Sequence, residues 1–456
     1  MAERNATLGS TVQALLNDKK YPSLKDVLVT MEPADVAGVL EEIGDERVAR
    51  VFRLLPKELA AETFAELEPE QQELLIRGFS DTELRDVIAE LYVDDAVDLV
   101  EEMPANVVKR ILAQADPEMR KDINDLLRYP ENSAGSMMTT EYVSLRPAMT
   151  VKEALQKIRS TGVDKETIYT CYVTESRKLQ GLVTVKDMLL CPDEQTPVSR
   201  IMDENVIYVN TLTDQEEVAQ MLSRYHFLAL PVIDTDGHMV GIVTFDDAMD
   251  VLQEEATEDI EKMAAILPTD KSYLRSSAWE LFKHRIPWLA LLMVSATFTG
   301  MIITGFEDAL AKVVVLTAFI PMLMDTGGNS GSQASVSIIR ALSLGELEFS
   351  DLPKVIWKEV RTATLCGCAL ALLCFGKIML VDRLIMGSDV QLLTAAVVCA
   401  TMALTVLIAK VIGCTLPMGA QKLGLDPAVM ASPFITTIVD ALSLLVYFGI
   451  AKALLF

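Results

Sequence analysis

The chain has 456 residues and a formal net charge of −25, with 65 Asp and Glu against 40 Lys and Arg. That length holds several domains, and the acidic balance argues against nucleic acid or an anionic lipid surface as partner and favours cations. The charge is uneven: 10 basic and 11 acidic residues lie from residue 286 onward, leaving 30 and 54 in the first 285. A strongly acidic half is joined to a near-neutral, apolar one.

The opening MAERNATLGS has neither a basic start nor an apolar core and does not read as a secretory signal. Residues 1–30 read as a polar lead-in. Residues 31–128 then repeat a unit of about 12 residues, as in DERVARVFRLL, DTELRDVIAEL and VDDAVDLVEEM. Asp, Glu or Pro at the start of a unit suits a helix's first turn, and the apolar positions follow helical spacing. Helices this short are not stable alone, so a stacked, acidic α-helical array is expected. Asp94 and Asp95 open one unit, where they fit either a helix start or a cation site.

Residues 129–250 contain two similar units, about 137–198 and 199–250. TVKEAL at 150–155 answers TDQEEV at 213–218, and GLVTVKDML at 181–189 answers GIVTFDDAM at 241–249. Each reads strand, helix, strand, turn, strand, helix. Thr184 with Asp187 and Thr244 with Asp247 end the units in the same way. Residues 251–285 read as a long linker helix with a break near Pro268; its first part, DVLQEEATEDIEKM, is crowded with acid.

Five membrane spans follow, at 286–306, 313–339, 362–381, 390–409 and 428–447, each near the length a bilayer requires. Lys283 and Arg285 precede the first span, and Arg340, Lys354, Lys358 and Arg361 fill the second connection, whereas the first connection carries Glu307. The positive-inside rule then puts the acidic half in the cytoplasm and the C-terminus outside. Trp279, Trp288 and Trp357 fall at the same interface, as anchoring aromatics do. Seven cysteines show no disulfide framework and read as reduced, small apolar residues. Cys366 and Cys368 also leave a soft-metal pair open.

The fifth span carries Asp440, a residue that costs roughly 2.5–3.5 kcal/mol at a bilayer centre and marks an ion or proton path by default. Ser432, Thr436, Asp440 and Ser443 share one helix face. The second span holds PMLMDTGGNSGSQAS, in which Asp325, Asn329 and Gln333 repeat at i, i+4, i+8. Gly327 and Gly331 are spaced for close helix approach. Oxygen ligands on two spans suit a hard divalent cation.

The paired repeats resemble a pair of CBS domains. In that family the Thr and Asp of each ending contact the ribose of an adenine nucleotide, which would make Thr184, Asp187, Thr244 and Asp247 a site for ATP; as local sequence, each pair equally fits a helix cap. The whole order, with PMLMDTGGNSGSQ in the second span and an Asp in the fifth, is similar to the MgtE-type magnesium transporter family, over about residues 30–456. The resemblance implies a multidomain α-helical membrane protein: an N-terminal α-helical array, an α+β CBS pair, a long plug-like linker helix and five transmembrane helices at 286–456. It implies a homodimer in a prokaryotic plasma membrane, with the pore on the two-fold axis. Asp440 would face that pore and Asn329 would line it, with Thr436 and Gln333 beside them. Regulatory Mg2+ would be held by Asp246, Asp247, Asp250, Glu255, Glu258 and Asp259 with Asp94 or Asp95, and by Asp214 and Glu216 in the second CBS unit. One departure is His226, where relatives tend to carry an acid; a neutral imidazole is a poor Mg2+ ligand.

The expectation is a Mg2+-selective, channel-like transporter closed by cytosolic Mg2+, and not an enzyme. Rival readings are a CBS-regulated transporter of Mn2+ or Co2+, a CBS-regulated anion channel, and an intramembrane aspartyl protease built on Asp325 and Asp440.

Overall fold

A computed structural model describes residues 2–455 except Asp270, Ser272, Arg275, Asp389 and Ala431; for residues 2–8, Asp45, Asp164, Asp308, Ala309 and Ser432 it describes the backbone alone. The chain divides into two compact units, Met1–Leu252 and Gln253–Phe456.

The first unit opens with ten short helices: α1 (Ala2–Asn17), α2 (Tyr21–Leu28), α3 (Pro33–Glu42), α4 (Asp45–Phe52), α5 (Lys57–Ala65), α6 (Pro69–Gly78), α7 (Asp81–Ile88), α8 (Val93–Glu102), α9 (Ala105–Gln114) and α10 (Pro117–Leu126). Their starts follow the local sequence. Pro33, Pro69 and Pro117 stand at the first helical position of α3, α6 and α10, and Ser80 with Glu83 closes a capping box on α7. Residues 1–30 are more than a polar lead-in. Val12, Leu16, Leu24 and Leu28 of α1 and α2 are buried in the same core as α3 to α10, each full burial contributing roughly 1.5–3 kcal/mol.

Two α+β repeats complete this unit. The first is β1 (Tyr142–Leu145), α11 (Val151–Thr161), β2 (Thr167–Glu175), β3 (Lys178–Thr184) and α12 (Val185–Leu190). The second is β4 (Val209–Asn210), α13 (Gln215–Tyr225), β5 (Ala229–Ile233), β6 (Met239–Thr244) and α14 (Phe245–Met263). Each forms a three-stranded sheet in sequence order, its first pair parallel and its second antiparallel. Tyr172 of the first repeat is buried with Ala229, Met239 and Ile242 of the second. The second repeat also shares the helical array's core through Val218, Leu222, Leu230 and Val243.

The linker helix breaks shortly before Pro268. α14 stops at Met263 and the next helix starts at Ala278. The stop is a Schellman cap: Ala265 N donates to Lys262 O, Ile266 N donates to Glu261 O, and Ala265 takes a left-handed φ of 55°. An alanine there carries the cost that glycine avoids, and Pro268 prevents the helix from resuming at once.

The second unit is built from α15 (Ala278–Gly305), a short α16 (Glu307–Lys312), α17 (Ile320–Ser343), α18 (Leu352–Lys377), α19 (Leu392–Lys422) and α20 (Ser432–Leu455). A π-helical segment, Ile378–Ile385, prolongs α18. α15, α18, α19 and α20 are long and apolar enough to cross a membrane; α17 is long enough, but its polar run leaves it less apolar than the others. α19 is the central helix, packed on α17, α18 and α20, whereas α15 buries no residue and packs chiefly on α20. The glycines of α17 permit close contact. A Cβ on Gly327 would stand 2.7 Å from Thr405 Cγ2 and 3.0 Å from Ser443 Oγ, and one on Gly331 would stand 2.8 Å from Ile435 Cγ2.

Candidate functional site

The membrane unit presents one polar edge. Asp325, Asn329 and Gln333 lie exposed along one side of α17, opposite the buried Gly327, Gly328, Gly331 and Ser335. α20 meets α17 through Thr436 and Ser443: Thr436 Cγ2 lies 3.0 Å from where a Cβ on Gly328 would stand, and Ser443 is buried. The Thr436 hydroxyl donates to Pro433 O at 2.9 Å within its own helix. Thr436 therefore packs the joint between the two helices more than it offers oxygen to an ion. The Ser432 side chain lies outside the described residues. Asp440 is half-buried at the margin of the joint, near enough to Asp325 for the two charges to interact. Among the described residues, Asp440, Asn329 and Gln333 make no side-chain hydrogen bond or ion pair. Polar groups inside a bilayer normally find partners.

The first unit holds a second acidic site. Asp94 and Asp95 stand in the first turn of α8, whose N-cap is Tyr92, and Asp94 Oδ1 accepts from Asp95 N at 3.1 Å. The fold brings Glu141 and Glu166 to them: carboxylate oxygens of Asp94, Glu141 and Glu166 all lie within 4.8 Å of one another. Val93 N donates to Glu141 Oε2 at 3.2 Å, while Glu166 Oε2 is buried without a hydrogen-bond partner. Asp247, from the first turn of α14, adds its charge to the group, and Thr244 Oγ1 donates to its Oδ2 at 2.5 Å. Glu66, Asp246 and Asp250 border it. The crowding is visible in the protonation of these acids. Burial, then the Asp247 charge, pushes Asp95 up to about 7 and Glu166 up to about 8; the same two causes hold Asp94, 9% exposed, well above the usual carboxylate range. Burial likewise lifts Asp247 to about 6 against the pull of the Thr244 hydroxyl.

The donor set fits a hard divalent cation. Oxygens sharing one Mg2+ at ~2.0–2.1 Å lie up to ~4.2 Å apart, so Asp94, Glu141 and Glu166 need only small rotations to hold it. Glu141 and Glu166 escape sequence reasoning because they sit in loops, outside any periodic pattern.

The other acids divide. Asp214 is the N-cap of α13, accepting from Glu216 N at 2.9 Å, and Glu216 Oε1 accepts from Gln220 at 3.0 Å; among the described residues neither joins a group of three clustered ligands. His226 ends α13 in the left-handed region, at φ 57°. Near the end of α14, Asp259 Oδ2 accepts from Ser343 Oγ at 2.9 Å, and Lys262 Nζ lies 2.7 Å from both Glu258 and Asp426. Met263 packs with Ile339 and Ala428. Glu255 lies on the same helix. The end of the helix therefore stands against α17 and the connection before α20.

Residues 320–450 match the divalent cation transporter family MgtE, residues 31–132 match the MgtE intracellular N domain, and residues 134–192 and 198–254 each match a CBS domain. The magnesium transporter MgtE of Thermus thermophilus is 37% identical over 98% of both chains. This chain belongs to the MgtE family. The magnesium transporter MgtE of Bacillus subtilis is 35% identical over 96% of this chain and 95% of its own. A crystal structure of the cytosolic domain of the Mg2+ channel MgtE in complex with ATP superposes with a TM-score of 0.51 at 38% identity, covering 53% of this chain and 99% of that one. The soluble part of a magnesium transporter gives 0.52 at 29% identity, over 55% and 99%.

For this MgtE-family chain, the pH response of the acidic site follows from the raised acids. Folded carboxyls at about 6 to 8 retain protons that unfolded ones release near 4. Stability of the cation-free site is therefore full below about pH 4 and is lost as pH rises through about 8. Mg2+ needs the ionised form, so it should tighten over the same window. Hydrogen exchange of α8 amides in the intact protein, corrected for intrinsic rates, should lose protection from pH 5.5 to 8 in chelator and regain it with Mg2+. Protection that rises with pH in chelator would contradict the assignment.

Proposed function

We propose that this chain transports Mg2+ through a path between two copies, with Asp440 of each copy facing it, and that cytosolic Mg2+ closes the path. The open polar edge of α17 and α20 carries this reading: among the described residues, Asp440, Asn329 and Gln333 have no side-chain hydrogen-bond or ion-pair partner, and the bilayer offers none. The names of the full-length relatives point to the same ion. Mg2+ dehydrates reluctantly and usually keeps several waters. Two Asp440 carboxylates across an axis would grip the hydrated ion through its shell, with Asn329 and Gln333 bonding further waters. Mn2+ or Co2+ would meet the same oxygens. A protease would also need two neighbouring carboxylates, but membership of a transporter family argues for conduction.

The basic connections support, by the positive-inside rule, a reading with the N-terminal domains in the cytoplasm and the C-terminus outside a prokaryotic plasma membrane. There the acids of α8, the CBS pair and α14 would sense Mg2+. With the cation held by Asp94, Glu141 and Glu166, and Asp247 shielded beside them, the repulsion is relieved and α14 is fixed at its start. α14 ends against the cytoplasmic tips of α17 and α20, so its position bears on the path. We further place an adenine nucleotide at the CBS pair, supported by the ATP complex of the related cytosolic domain. In the structure Thr184 Oγ1 and Thr244 Oγ1 donate to Asp187 and Asp247, each at 2.5 Å, and Thr184 with Asp187 closes a capping box on α12. The ribose would therefore compete with helix capping.

Asp440→Ala should abolish Mg2+ uptake into proteoliposomes while the protein still assembles, and Asn329→Ala should reduce uptake less; normal uptake by Asp440→Ala would remove the pore assignment. Calorimetry of the full-length protein with ATP and Mg2+ should show binding that Thr184→Ala or Thr244→Ala weakens. No heat at millimolar ATP would leave these residues as helix caps alone.

A further inference from the structure

A second charged pair lies inside the membrane unit and takes no part in the sites above. Lys410, on the central helix α19, is 5% exposed. Its Nζ lies 3.9 Å from Oε2 of Glu359 on α18, and among the described residues it has no other ion-pair or hydrogen-bond partner. Glu359 Oε2 is itself buried, with no hydrogen-bond partner among the described residues. The two charges therefore face each other beyond hydrogen-bond distance. Such a pair contributes little as a mechanical bridge, but each charge offsets the other in a medium that screens poorly.

Position gives the pair a consequence. The segment of α19 that carries Lys410 touches the back of α17. Ala409 O lies 3.2 Å from where a Cβ on Gly331 would stand, and Gly413 abuts the Gly331 carbonyl. Gly331 lies between Asn329 and Gln333, whose side chains form the open polar edge on the far side of the same helix. Lys410 is thus an ammonium held one helix behind the proposed ion path, where packed axes are about 8–10 Å apart.

We infer that Glu359 is the counter-charge that lets Lys410 sit behind a cation path, which makes Glu359 a positioning residue for divalent passage. The inference rests on the reading of α17 and α20 as that path. Without Glu359, the bare ammonium repels a passing cation, and a dication feels twice the energy that a monovalent ion does. Without Lys410, no positive charge remains behind the path to repel a passing cation. The two single substitutions therefore differ in effect, whereas a structural bridge would fail equally from either side.

The test is flux of Mg2+ and of K+, the latter in divalent-free solution, through the full-length protein at pH 6. Glu359→Gln should lower Mg2+ flux roughly tenfold or more and K+ flux by only about the square root of that factor. Lys410→Met and the double variant should retain the parent's Mg2+ to K+ ratio. If Glu359→Gln does not assemble, Lys410→Met and the double variant should assemble and conduct. Equal loss in both single variants, or a double variant no better than Glu359→Gln, would overturn the inference. Asp440 is intact in every variant. Uptake that survives Asp440→Ala would therefore sink the path reading, while the Glu359 and Lys410 comparison is decided separately.

Discussion

Carboxylates packed against carboxylates govern both halves of this protein. In the first unit Asp94, Glu141 and Glu166 converge with Asp247 beside them; in the second, Asp440 and Asp325 interact along one edge, where neither has a basic partner among the described residues. A fold that gathers like charges in this way is destabilised unless protons or cations join it. The array, the CBS pair and the α17–α20 joint position those acids, whose oxygens suit a hard divalent ion.

The glycine run of α17 shows how packing serves this chemistry. Gly327, Gly328 and Gly331 let α20 and α19 approach until side chains such as Thr436, Ser443 and Thr405 fill the space a Cβ would take. Association inside a bilayer depends on such close contact, because lipid is as apolar as leucine. With the small residues turned inward, the amide and acid positions of the same helix are left on its open side. Periodicity alone therefore gives α17 two faces with two duties.

Much of this was legible in the sequence because it is periodic or repeated. The short acidic helices, the duplicated α+β unit and the i, i+4, i+8 stripe through Asp325, Asn329 and Gln333 all follow spacing rules. The unforeseen features lack periodicity. Glu141 and Glu166 reach Asp94 only through the tertiary fold. The linker ends at Met263 because Ala265 adopts a left-handed cap, which its residue type does not signal. α1 and α2 pack into the core although their composition is polar. Lys410 and Glu359 fell just outside the spans drawn from apolar runs, since a buried ion pair interrupts such a run. Thr436 lies at the joint, where its hydroxyl bonds to its own helix and its methyl group meets Gly328.

The central claim is that cytosolic Mg2+ supplies the missing counter-charge and so closes the path it crosses. A ligand shifts a conformational balance only through its preference for one state, and several acidic sites acting together should make that shift steep. The direct measurement is Mg2+ flux in oriented proteoliposomes as Mg2+ is raised on the side of the acidic domains. Flux is compared between the parent and a variant with Asp247, Glu255, Glu258 and Asp259 neutralised together. The account predicts that flux through the parent falls steeply as that Mg2+ rises and that the variant stays open. A variant that closes at the same concentration as the parent would contradict it.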